Sequence, residues 1–252
     1  MKSLLLTICF ASISGSALWA QEAHKVDDRE AKKLISEFSK AIKANKKSLS
    51  GRLVAVQNLG QRSHRLLIKP LLKTARSDSA KSVKQAATLA LGNQPPKYAR
   101  SALTMLLKKT SVTANPNITA AIVKAFNQGS YQTRDYKTFK SLFERGIADQ
   151  RCVAAQIAII ELFGQQREVQ AALYLAGHID EPAPVSVDDP SNPPASYWKA
   201  RYKNWQKWGS RLKHSLFQIT GQRFASSKEA DTWIRKNRNK IKAKRVKSST
   251  KR

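Results

Sequence analysis

Cysteine is scarce in this chain of 252 residues, which has only Cys9 and Cys152. Because Cys9 lies in an N-terminal segment that we expect to be removed, a single thiol remains and no internal disulfide can form. Cys152 stands among apolar residues of a predicted helix, so we interpret it as a small buried hydrophobic side chain. A disulfide-stapled fold is therefore excluded, and the chain must depend on an apolar core.

The sequence motifs of common enzyme classes are also missing. The chain has no phosphate-binding loop, no Gly-x-Ser-x-Gly turn and no His-Glu-x-x-His helix. Its four histidines, His24, His64, His178 and His214, fall in different segments without a second ligand at metal-site spacing. We interpret them as solvent-facing or locally hydrogen-bonded. The sequence therefore predicts no catalytic residue, no metal and no cofactor, and the protein is predicted not to be an enzyme.

Acidic residues are few: 17 Asp plus Glu stand against 46 Lys plus Arg, which leaves a formal net charge of +29. The surplus is densest in residues 235–252, which hold ten basic residues and no acid. A field of this sign attracts polyanions. The same residues also suit a solvated tail that only keeps the protein soluble, and the sequence leaves both interpretations open.

Long apolar runs are absent after residue 20, so no later segment has the ~18 consecutive apolar residues of a membrane span. The first 20 residues combine Lys2, the apolar stretch Leu4–Ile13 and small residues up to Ala20. This order is typical of a secretory signal peptide. We expect cleavage near Ala20, with Ala17 as the alternative, and export to the periplasm or the extracellular space. A retained amphipathic anchor is the other interpretation.

What the sequence does contain is a repeated pair of helices. Residues 80–91 place apolar side chains three and four positions apart, Gly92 and two prolines follow, and residues 100–109 resume the pattern. We interpret the glycine as the stop of the first helix. Equivalent breaks at Gly60, Gly92, Asn127 and Gly164 lie 32, 35 and 37 residues apart. A near-constant period filled only by helices predicts an all-α solenoid, with a compact helical bundle as the rival.

Three sequence segments resemble a known repeat family: VAVQNLG (Val54–Gly60), VKQAATLALG (Val83–Gly92) and VAAQIAIIELFG (Val153–Gly164). Each resembles the first helix of a HEAT repeat, ending in an apolar-Gly turn. The resemblance covers about residues 50–180 and implies a short HEAT-like α-solenoid that is recognised by pattern and not by fixed catalytic residues. The third repeat departs from it, because the glycine in AIVKAFNQG is displaced. ITGQRF (Ile219–Phe224), followed by Trp233, resembles a C-terminal motif of exported bacterial HEAT-like proteins.

These observations divide the chain into six segments. The N-terminal helix is expected to start at Asp27, with Glu30 completing a capping box, and to cover the end of the stack. In residues 197–238 we expect an apolar stripe, with Trp208 beside it, to pack on the last repeat or on the following helix; its members are Trp198, Tyr202, Trp205, Leu212 and Leu216. Stacking of these aromatic rings on nucleic-acid bases or sugar rings is the alternative. The segments are a signal peptide (1–20), an N-terminal capping helix (21–49), HEAT-like repeats (50–180), a Pro-rich connector (181–196), an aromatic and basic helical extension (197–238) and a disordered basic tail (239–252).

The leading functional prediction is a non-catalytic interaction scaffold that binds a protein partner through its solenoid surface. The alternative is a polyanion-binding protein, whose ligand is nucleic acid or an acidic envelope or extracellular polymer. Its expected contacts are Lys240, Lys242, Lys244, Arg245 and Lys247. Export argues against genomic DNA as the partner. Some helical-repeat relatives act as lyases or glycosylases, so the fold alone does not exclude catalysis.

Overall fold

The computed structural model describes residues 23–184 and 189–249, and the side chains of this part through Ile241. The predicted signal peptide, residues 1–20, lies outside the described residues. The described part has two short parallel-paired strands, β1 (His24–Lys25) and β2 (Arg62–Ser63). Its helices are α1 (Asp28–Ala44), α2 (Leu49–Gly60), α3 (Ile68–Ser77), α4 (Lys81–Gly92), α5 (Pro96–Lys109), α6 (Pro116–Ala125), α7 (Tyr136–Arg145), α8 (Val153–Gln165), α9 (Ala171–Ala176), α10 (Ala195–Thr220) and α11 (Ser227–Ser249).

The helices stack as pairs. The first helices of the pairs, α2, α4, α6, α8 and α10, pack each on the next and form one continuous layer. The second helices are α3, α5, α7, α9 and α11. Helix α1 packs on α2, and the Asp27 carboxylate caps it by accepting a hydrogen bond from the Glu30 backbone N–H at 2.7 Å. The predicted all-α, solenoid-like fold is confirmed.

The C-terminal part continues the stack instead of extending from it. Helix α10 packs directly against α8, and α11 packs against α9. Trp208 is 1% exposed, and its ring lies 5.5 Å from that of Phe143. The buried stripe therefore centres on Trp208, whereas Trp198 and Trp205 are only half-buried. Residues 195–249 form a fifth helix pair, and α10 packs on the last predicted repeat as expected. The Pro-rich segment precedes this pair and breaks the period in the sequence.

Helix α11 also differs from the sequence prediction. Disorder is predicted from residue 239, but the backbone is helical through Ser249. Residues 239–249 contain no glycine or proline and several lysines and arginines, which are good helix formers. Ile241 is 2% exposed and ties this part of α11 to the core. Between the two helices of the pair, Gly221 ends α10 with a left-handed φ of 77°, and the ring centroid of Phe224 lies 5.7 Å from that of Trp233.

Three of the glycines at the helix breaks serve close packing between neighbouring first helices. An added Cβ at Gly60 would lie 2.7 Å from the Ala90 Cβ, and one at Gly164 would lie 2.7 Å from the Ser215 Cβ. Gly60 and Gly92 are the last residues of α2 and α4, and Gly164 lies within α8. None has a positive φ. The helices do end at or one residue after these glycines, as predicted, but without a left-handed turn. The missing side chains also let neighbouring first helices approach each other closely.

Replacing Gly92 with alanine is expected to lower the free energy of unfolding by about 1–3 kcal/mol, as overpacking does. The new Cβ would lie 2.8 Å from the Cα and the carbonyl oxygen of Ala125. These are backbone atoms, so α4 and α6 would have to separate. Urea unfolding followed by circular dichroism measures the effect. Gly177→Ala is the matched control, because its Cβ would meet nothing closer than 3.6 Å; equal losses in both variants would contradict the tight contact.

Buried amide side chains tie the turns of neighbouring pairs together. Gln94 is 2% exposed, donates to the Arg62 carbonyl oxygen at 2.8 Å and accepts from the His64 backbone N–H at 3.1 Å. Two pairs further along, the half-buried Gln166 donates to the backbone and side-chain oxygens of Asn127, at 3.1 and 2.9 Å. Since an unpaired buried amide is unfavourable, these bonds fix how each turn sits on the next.

Candidate functional site

A groove of about 660 Å³ opens between α5 and the turn that leads into α7. We call it the basic groove. Six of its lining residues matter for what it can bind: Lys97, Arg100, Met105, Lys108, Ser130 and Arg134.

The α5 side of the basic groove follows from helical spacing. Lys97, Arg100, Ser101, Thr104, Met105 and Lys108 recur at three- and four-residue intervals and so share one face of the helix. Pro96 starts α5 at a position where the missing N–H would have no helical partner. The sequence thus places cations along the groove wall at both ends of α5 and a methionine between them.

The opposite wall is built by the displaced glycine of the third repeat. After α6 the backbone makes a π-helical turn over Phe126–Ser130, in which Gly129 has a φ of 131°. L side chains rarely adopt this conformation, so glycine is required there. The ring of Phe126 packs edge-on against Phe139 at 5.2 Å and anchors the turn to α7. The departure from the repeat pattern is therefore what carries residues 129–134 to the edge of α5.

The charge of the groove is positive. Lys97, Lys108 and Arg134 are exposed, and the residues that line the groove include no acid. Within the part of the chain that the structure describes, none of these three cations has a salt-bridge partner. Arg100 pairs with Asp135, which joins α5 to the start of α7. Three cations are therefore left for an external anion.

Ser130 adds an uncharged polar group to the wall of the groove that residues 129–134 form. It is 2% exposed, and its Oγ has no hydrogen-bond partner among the described residues. A buried hydroxyl without a partner is unfavourable, so a ligand that reaches it gains more than one bound at an exposed serine. Its neighbour Tyr131 is already engaged, because its hydroxyl donates to the buried carboxylate of Glu168 at 2.9 Å.

The sequence-predicted polyanion contacts lie elsewhere. Lys240 is exposed on α11 and does not line the basic groove. Lys242, Lys244, Arg245 and Lys247 belong to the helical backbone of α11, but their side chains lie outside the described residues. Whether these five residues bind an anion stays a prediction.

The basic groove was missed although the sequence holds a signal for it. Residues 79–134 contain eight lysines and arginines and no acidic residue. The polyanion contacts were predicted in the tail because positive charge is densest at the C-terminal end. The acid-free stretch of residues 79–134 is longer, and it includes α4, α5 and the displaced glycine. Charge and a broken repeat pattern in the same place would have pointed to the third repeat.

His178 and Cys152 have shifted pKa values because both lie inside the protein and away from the basic groove. Burial, with the nearby charges of Arg201 and Lys140, lowers the pKa of His178 to about 4, so the ring is neutral among Phe143, Tyr174 and Trp208. Burial also raises the pKa of the Cys152 thiol to about 11. Cys152 is 0% exposed, which confirms the interpretation as a buried small side chain.

Across residues 23–184 and 189–249, no three histidine, cysteine, aspartate or glutamate side chains are close enough to hold a metal ion. No helix in that part of the chain is both long and apolar enough to cross a bilayer. Comparisons with family models, curated proteins and solved structures found no match to this chain. The resemblance to HEAT repeats therefore rests only on the three sequence segments named above.

Proposed function

We propose that this protein is a non-catalytic α-solenoid scaffold that binds an acidic protein partner along helices α3, α5 and α7. The observation that carries the proposal is the distribution of exposed charge. Helices α3, α5 and α7 present eight exposed cations and a single acid, Glu144, which pairs with Lys140 at 3.5 Å. The cations are Lys69, Lys73 and Arg76 on α3, Lys97, Lys108 and Lys109 on α5, and Lys137 and Arg145 on α7.

The other layer of the same repeats supports the proposal by contrast. Helices α2, α4, α6 and α8 have only two exposed cations, Lys81 and Lys124. Stacked helix pairs offer an extended surface that binds partners by shape and charge without a chemical step. A row of cations on one layer favours an acidic partner and speeds its encounter. The proposed location is outside the cytoplasm, which rests on the signal-peptide pattern of residues 1–20.

Pull-down from the exported fraction, with the purified protein as bait and washes at low and high salt, tests this function. We expect acidic proteins to be retained at low salt and released at high salt, because exposed ion pairs are screened. The variant Lys69→Gln, Lys73→Gln and Arg76→Gln is expected to lose them. The matched control removes the same charge from α10 at three exposed positions, Lys199, Lys203 and Lys207, and is expected to keep them.

Two outcomes would contradict the scaffold proposal. Equal losses in both triple variants would show that net charge alone attracts the proteins. The protein could instead retain heparin or DNA and lose this retention only when the chain is truncated after Asn239. That result would favour the polyanion-binding alternative, with Lys240 and the basic residues after it as contacts.

A further inference from the structure

We propose that the basic groove binds an acidic peptide segment of the partner, with carboxylates on its cations and an apolar side chain against Met105. This inference rests on the proposed function and names the site at which it is exerted. A groove of about 660 Å³ has room for a short segment of extended chain.

The positions of the cations argue for a ligand with more than one negative charge. Lys97 and Lys108 lie eleven residues apart on α5, which corresponds to about 16 Å along a helix. Arg134 stands on the opposite wall. One small anion cannot contact all three, whereas an extended segment with acidic side chains at intervals can. Arg100 stays paired with Asp135 and acts as a positioning residue that holds α5 against the turn.

The middle of the groove favours a peptide over other acidic chains. Met105 is 42% exposed and lines the groove between the cations. A flexible, polarisable methionine suits apolar side chains of varied shape. Ser101, Thr104, Gln132 and the unpartnered Ser130 hydroxyl supply neutral hydrogen-bonding groups for a peptide backbone.

The aromatic side chain in the groove argues against single-stranded nucleic acid. Proteins that bind it stack bases on exposed aromatic rings beside a positive groove. Tyr131 is the aromatic residue that lines this groove, and its ring packs 6.1 Å from Phe139 while its hydroxyl is held by Glu168. A ring fixed in this way is not free to stack on a base.

Fluorescence anisotropy with labelled peptides tests the inference. The probe is a peptide of repeated Glu-Glu-Leu triplets; a Lys-Lys-Leu peptide, a Glu-Glu-Ser peptide, labelled oligo-dT and heparin are the comparisons. We expect the Glu-Glu-Leu peptide to bind at low ionic strength more tightly than the other four. Lys97→Gln with Arg134→Gln is expected to weaken its binding about tenfold. Met105→Gln is expected to remove the preference for the Leu-containing peptide over the Ser-containing one.

Lys203→Gln with Lys207→Gln is the charge-matched control, since both residues are exposed on α10 and lie outside the groove. Circular dichroism verifies that all variants fold. The inference is overturned if the control weakens peptide binding as much as the groove variant, if the peptide does not bind, or if oligo-dT or heparin binds more tightly in a groove-dependent way. If the α3 variant loses the partner proteins while the groove variant retains all of them, the scaffold function is kept and only the basic groove is rejected as the binding site.

Discussion

Replacing Trp208 with alanine is expected to lower the free energy of unfolding by about 3–5 kcal/mol, as the loss of a large buried aromatic side chain does. Trp208 is 1% exposed and lies in α10 where that helix packs on α8. Its ring contacts Phe143 of α7 at 5.5 Å and His178, which follows α9, at 6.3 Å between centroids, so it joins the fifth helix pair to the third and fourth. Urea unfolding followed by circular dichroism measures the loss.

Phe217→Ala provides the control on the same helix. Phe217 is 39% exposed, and its ring contacts Arg223 at 5.5 Å. Its removal is expected to lower the free energy of unfolding by less than about 1 kcal/mol. A small effect of Trp208→Ala, or a separate early transition that leaves the other four pairs at full stability, would show that residues 195–249 are not an integral part of the stack.

The sequence was sufficient to predict the helix pairs, because each pair repeats the same local signals. Apolar residues at helical spacing mark α4 in Val83, Ala87 and Leu91, all of which are fully buried. Asp27 caps α1 as predicted. Such signals depend on neighbours three or four positions away, and a single chain displays them directly.

The packing role of the glycines depends on residues far along the chain and was not predicted. Gly60 faces Ala90 and Gly164 faces Ser215, at separations that no local pattern reveals. The fifth pair was missed for a related reason. Its first helix begins after the proline-rich segment, so the period that identifies the other pairs is lost, although α10 occupies the equivalent place in the layer.

The basic groove also forms from distant residues. Arg100 and Asp135 are 35 positions apart, and their ion pair brings α5 against the turn before α7. Met105 is exposed in this groove, and Ser130 is buried directly after Gly129, whose φ is 131°. From the sequence, the acid-free stretch and the displaced glycine could be recognised, but their meeting in space could not.

Replacing Asp78 with alanine is expected to have an equally large effect, lowering the free energy of unfolding by about 3–5 kcal/mol. Asp78 follows α3 and pairs with Arg52 of α2 at 3.2 Å, and their side chains are only 8% and 9% exposed. The same carboxylate accepts a hydrogen bond from the Ala80 backbone N–H at 2.8 Å, before the start of α4. Alanine would leave the Arg52 guanidinium charged, buried and without a counter-ion.

Two further variants provide a control for Asp78→Ala and identify the cause of its expected loss of stability. Asp231→Ala removes an exposed pair with Arg235 and is expected to leave the free energy of unfolding nearly unchanged. Adding Arg52→Met to Asp78→Ala removes the unpaired charge while keeping an unbranched apolar side chain. The double variant is therefore expected to be more stable than Asp78→Ala alone, because a buried pair replaced by apolar groups is better tolerated than a broken one. If the second substitution lowers stability further, the loss arises from the missing hydrogen bond to the Ala80 backbone N–H and from the Arg52 contacts with the Asn45 and Lys46 carbonyl oxygens, not from the buried charge.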